Sequence, residues 1–144
     1  MSGAAVDRPV LEQIATRLRT TRQFERVRLT HSESRLRLRA SLDPDYYPDA
    51  ETVAELTVQW FQNDDFYIHY REDRPASSWA CRWDRHPSSH DQREQFHPPP
   101  DASTPGEPAT WPDSYRDVIG VVLDRVERRV ERLWRGGPVG NTRF

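Results

Sequence analysis

Lysine is absent from the 144 residues, so all 21 basic side chains are arginine. Arginine presents a planar fork suited to bidentate contact with carboxylate or phosphate, although a base-composition bias in the gene is the simpler account of the skew. With 23 acidic residues, the formal charge is -2 and the pI is near 6.2. The totals therefore exert no general pull toward nucleic acid or membrane. Cysteine occurs once, as Cys81, which excludes an intramolecular disulfide and a multi-cysteine zinc cage and fits a reducing compartment. Glycine is scarce, with six residues; none falls in a phosphate-loop pattern, and no Gly-x-Ser-x-Gly elbow is present. Long apolar runs are missing as well. The start MSGAAVDRPVLEQ meets charged residues before any apolar run of signal length, and no segment approaches the roughly 18 apolar residues that span a bilayer. The expectation is a soluble cytoplasmic protein with no membrane partner.

What is present is strongly patterned. Leu11, Ile14, Ala15 and Leu18 recur at helical spacing behind a capping Asp7 and a first-turn Pro9, which predicts an N-terminal helix. Period two then takes over. Val27 and Leu29 alternate with arginines, and so do Leu36, Leu38, Ala40 and Leu42 after a polar turn at 32–34, giving a hairpin. After the connection LDPDYYPDA come AELTVQW, FYIHYRE and WACRWD, each alternating. Residues 85–112 hold seven of the twelve prolines and predict a long Pro/His-rich loop without regular structure. Val118, Val122, Val126, Val130 and Leu133, widened by Ile119, Leu123 and Trp134, predict a second helix over 113–134, with Asp113 or Ser114 as its cap. The predicted fold class is α+β: an antiparallel sheet of about five strands, with the N-terminal helix and a long C-terminal helix packed on one face. It forms a single domain over 1–135, followed by a flexible tail at 136–144.

Alternation also assigns side chains to faces. Arg26, Arg28, Arg35, Arg37 and Arg39 fall opposite the apolar side of the hairpin. They form either a solvated face neutralised by nearby carboxylates such as Asp43, Asp45, Asp49 or Glu51, or an anion-binding strip. If the fourth and fifth strands are neighbours, Tyr67, His69, Arg71, Arg82 and Asp84 share the polar face, while Tyr70, Trp79 and Trp83 point to the core. Within CRWDRHPSSHDQREQFHPPP, His86, His90 and His97 could converge on zinc, but Pro87, Ser88 and Ser89 disfavour the helix that would align them. No metal and no cofactor are expected.

The succession F-Y-I-H-Y, R-W-D, a His/Pro-rich loop with F-H-P, and a final helix resembles the TumE-like toxin family of prokaryotic toxin–antitoxin systems. Its pattern has a Y-x-Y-H-Y-like strand, an R-W-D-N-x-P-H-H-like segment and an F-P-H-H-K-H-like loop. His69 and Tyr70 match the first; Arg82, Trp83, Asp84 and Pro87 match the second; Phe96 and His97 match the third approximately. Ser88 and Ser89 stand where the pattern has paired histidines, His90 is displaced by one position, and Pro98, Pro99 and Pro100 replace the end of the third motif. The resemblance implies a small toxin neutralised by an adjacently encoded antitoxin, a DNA-binding helix-turn-helix protein.

Joined to the face assignment, the expected function is action on RNA as a metal-independent ribonuclease. His69 and His97 would supply base and acid in unassigned order, Arg82 would meet the phosphate, and Asp84 would orient a histidine or Arg82. Tyr67, Arg71, His86, Arg35, Arg37 and Arg39 are the expected substrate contacts. The alternative is a noncatalytic protein that binds an acidic partner through the arginine-rich hairpin face.

Overall fold

The computed structural model describes residues 4–86 and 93–136. Helix α1 runs from Arg8 to Arg19; the Asp7 carboxylate accepts from the Val10 backbone N–H at 3.1 Å, and proline sits in the first turn. Leu11, Ile14, Ala15 and Leu18 form its buried stripe. Strands β1 (Phe24–Ser32) and β2 (Arg35–Leu42) make the expected hairpin. Glu33 and Ser34 both adopt positive φ, 53° and 64°, the conformation a two-residue hairpin turn requires. A short 3-10 turn at Pro44–Tyr46 leads to β3 (Val53–Trp60), β4 (Phe66–Arg74) and β5 (Ser77–Arg85). Ser114 caps helix α2, Tyr115–Trp134.

Two further strands lie in the segment expected to be an irregular loop. β6 (Glu94–His97) and β7 (Glu107–Pro108) extend the antiparallel meander to seven strands in the order β1-β2-β3-β4-β5-β6-β7. Prolines remove local donors but do not prevent the intervening residues from pairing with an existing edge. β6 pairs with β5, and the Trp111 indole N–H donates to the Asp84 and Gln95 carbonyls at 3.1 and 3.3 Å. Arg85, at the end of β5, donates to Glu94 at 3.0 Å and to the Pro112 carbonyl at 2.6 Å. The proline-rich stretch is thereby tied to the sheet at both ends. Of the residues expected to be a tail, 137–144 lie outside the described ones.

Both helices cover one face of the sheet, where Leu38, Leu56, Val58, Ile68, Tyr70, Trp79, Cys81 and Trp83 are all essentially inaccessible. Trp134 departs from the expected apolar stripe: it is 58% exposed, and its indole N–H donates to the Tyr46 carbonyl. Within the core lies a charged group that the hydrophobic pattern did not announce. Arg129, fully buried on α2, donates through Nε and Nη2 to the Glu72 carboxylate at 3.1 and 3.0 Å and stacks 4.0 Å above the Trp79 ring. Arg74 and the Tyr70 hydroxyl contact the same carboxylate. Among the described residues no helix is long and apolar enough to cross a membrane. The other face of the sheet carries the polar residues.

Candidate functional site

Register decides what the polar face can do. In the antiparallel ladders Arg39 opposes Thr57, Thr57 opposes His69, His69 opposes Arg82, and Arg82 opposes His97. Opposed residues in a sheet project to the same side, so His69, Arg82 and His97 form one row across β4, β5 and β6. The adjacent row is Gln59, Tyr67, Asp84 and Gln95. The four residues expected to be catalytic, His69, Arg82, Asp84 and His97, are therefore gathered in one place. His97 is a strand residue, not the loop residue expected of it.

The group has two layers. Asp84 is fully buried and His97 is 2% exposed, whereas Arg82 and His69 reach the surface. Arg82 Nε donates to Asp84 Oδ2 at 3.2 Å, and Arg82 Nη2 meets His97 Nε2 at 3.0 Å. His97 Nε2 also lies 2.8 Å from Asp84 Oδ2. The His97 Nδ1–H donates to the Ser103 carbonyl at 2.9 Å, and Nε2 faces both Arg82 and the Asp84 carboxylate. The ring is held at both nitrogens. Gly106 closes over it: a Cβ there would stand 2.9 Å from His97 Cε1 and 3.0 Å from Nε2, closer than carbon and nitrogen can pack.

His69 contrasts with His97 at every point. Neither of its ring nitrogens is hydrogen-bonded among the described residues. Its pKa is lowered from 6.5, first by burial and then by the Arg82 and Arg71 guanidinium groups, so at neutral pH it is an unprotonated base. Tyr67 is shifted in the opposite sense, upward, by burial and by Asp84. It keeps its phenolic proton, and its hydroxyl makes no hydrogen bond among the described residues. His69, Tyr67, Arg82, Arg37, Thr57 and Gln59 line one open hollow of about 330 Å³.

The remaining expected contacts divide sharply. His86 stacks on Tyr67, with centroids 5.2 Å apart and planes 16° from parallel, and its Nε2 is 3.6 Å from Asp84 Oδ1. Arg39 is engaged by Glu55 at 2.7 Å and Arg71 by Asp73 at 2.8 Å. Arg37 lies only 3.8 Å from a carboxylate that is itself 85% exposed, that of Glu33, and Arg35 sits 5.9 Å above the Phe61 ring. The carboxylates that neutralise the strip are thus Glu55 and Glu33, not those of the 43–51 connection. Cross-strand pairing brings Glu55 beside Arg39 from 16 residues away. His90, Pro87, Ser88 and Ser89 lie outside the described residues.

Sequence reasoning missed Gly106 and Ser103, which fix His97. Gly106 stands between prolines in a stretch read as irregular, and Ser103 contributes only its carbonyl, which no side-chain pattern betrays. A family model described as "Toxin TumE" matches residues 9–130, a span that runs from α1 through most of α2. No curated protein and no solved structure matches the chain.

Proposed function

The chain belongs to the TumE toxin family, which implies an antitoxin partner, and from that premise we propose that it is a metal-independent ribonuclease restrained by a helix-turn-helix antitoxin. The observation that carries the reading is the open hollow in which an unbonded His69, an unbonded Tyr67 hydroxyl and an anchored Arg82 meet. An unoccupied base, a retained phenolic proton and a fixed cation are the three groups that transfer of a phosphoryl bond to a neighbouring hydroxyl requires.

His69 removes the proton of the ribose 2′-OH, whose oxygen attacks the adjacent phosphorus. Arg82 stabilises the charge that builds on the phosphoryl oxygens. The bond from phosphorus to the 5′-oxygen breaks, and Tyr67 gives that oxygen its proton. The products are a 2′,3′-cyclic phosphate and a free 5′-hydroxyl. Asp84 and His97 hold Arg82 from beneath and act as positioning residues. The noncatalytic alternative has less support, because Arg39 is already paired with Glu55.

Purified protein incubated with single-stranded RNA in EDTA is expected to cleave it and leave cyclic-phosphate ends. A substrate with 2′-deoxy sugars should stay intact, and His69→Ala should lose about 10²- to 10⁴-fold in rate. RNA left whole by the wild-type protein, or equal cleavage by His69→Ala, would overturn the proposal.

A further inference from the structure

A second hollow, about 500 Å³, adjoins the first and shares Arg37, Gln59 and Tyr67 with it; Arg35 and Glu33 complete its lining. Its cations are Arg35 and Arg37. Arg35 makes no ion pair among the described residues, and the buried Arg37 Nε has no hydrogen-bond partner there. A buried guanidinium N–H without an acceptor is costly, so a ligand oxygen in this hollow would relieve it. Glu33, at the rim and 85% exposed, can swing into solvent at little cost.

Spacing then identifies the kind of ligand. Arg82 on β5 and Arg37 on β2 start from strands three spacings apart, about 14 Å, and Arg35 lines the second hollow but not the first, so a second phosphate has a cation of its own. Between them stands Tyr67, its ring stacked on His86 and edge-on to Phe61 at 6.4 Å. A rigid, buttressed aromatic ring between two phosphate-binding cations is the arrangement that tracks a single strand. A duplex keeps its bases stacked inside and can offer none to the ring.

We propose that this second hollow is the subsite for a flanking nucleotide. The substrate is then single-stranded RNA laid across the sheet from β5 toward β2, with one base on Tyr67 and a second phosphate on Arg35 and Arg37. The inference rests on the ribonuclease reading for the identity of the strand, but its test is binding, not cleavage.

In a His69→Ala background, the affinity for a fluorescein-labelled 12-residue oligouridylate is measured by anisotropy over a range of salt concentrations. Single strand is expected to bind at least about tenfold more tightly than the same oligomer annealed to its complement. Changing Arg35 and Arg37 together to Gln should lower the slope of log K against log salt by about 0.7, the value for one phosphate neutralised on a single strand. Arg35→Lys with Arg37→Lys should keep the slope. Tyr67→Ala should weaken binding about tenfold or more through lost stacking, whereas Tyr67→Phe, which keeps the ring, should bind like its parent. Equal binding of duplex, or a slope unchanged by the Gln pair, would overturn the subsite. RNA that is bound in this pattern yet not cut by the wild-type protein sinks only the ribonuclease reading; RNA that is cut while these dependences are absent sinks only the subsite.

Discussion

His69 and His97 are the same residue type on the same face, two strands apart, and their surroundings make them opposites. His97 is covered by Gly106 and held through both ring nitrogens. His69 has a free ring and a pKa held down by burial, Arg82 and Arg71. Removing a neighbouring positive charge makes the imidazolium less unfavourable, so in Arg82→Gln the His69 titration, followed by its ring NMR signals, should move up from its wild-type position below 6.5. The acid limb of any residual cleavage should move to higher pH with it. Stability carries the same sign: below 6.5 the unfolded chain takes up this proton first, so the contribution of His69 is complete above that pH and is lost as pH falls through the folded-state value. The sequence announced His69 by parity and His97 through the F-H-P resemblance, but not the difference between them, because burial and partners are properties of the surroundings.

At the scale of the element, the proline-rich stretch turns from linker into structure. β6 is four residues long and β7 two, too short to be recognised from pattern alone. β6 exists because β5 offers an edge and Trp111 clamps its far side. The return segment through Gly106 then becomes the lid on His97. Gly106→Ala should push the His97 ring away from Arg82 and reduce cleavage about a hundredfold, the scale on which a misplacement of about 1 Å is felt. The far-UV circular dichroism spectrum should be unchanged, and the salt dependence of RNA binding through Arg35 and Arg37 should survive. By contrast, the α1 stripe, the β1–β2 hairpin and the α2 stripe were legible outright, since each element buries a face whose period its own residues write.

For the molecule as a whole, one face of a seven-stranded sheet is packed under helices and the other carries the polar residues. The helices cover the apolar face and lock it with the Arg129–Glu72 pair, both members fully buried. Glu72→Gln would remove the charged carboxylate that Arg129 and Arg74 share in the core. Such a loss costs about 3–5 kcal/mol, and chemical denaturation should show the midpoint falling accordingly. The polar face bears no helix among the described residues, which leaves its two hollows open. An antitoxin that blocks RNA access to this face would silence the protein without altering its fold. In the sequence Glu72 shares the parity of Phe66, Ile68 and Tyr70, so its burial could have been inferred; its partner could not, because Arg129 lies 57 residues further along the chain.

Residue order by itself determined the fold class, the two helices, the five long strands and the face on which each strand residue stands, because these follow from local periodicity. It also placed His69, Arg82 and Asp84 on one side of the sheet. Tertiary structure decided the rest: that β6 carries His97 into the same row, that Asp84 and His97 lie beneath Arg82 while His69 remains free, and that Glu55 pairs with Arg39 and not with Arg35 or Arg37. Those outcomes depend on register and on contacts between distant segments, and a pattern with a period of two residues carries no information about either.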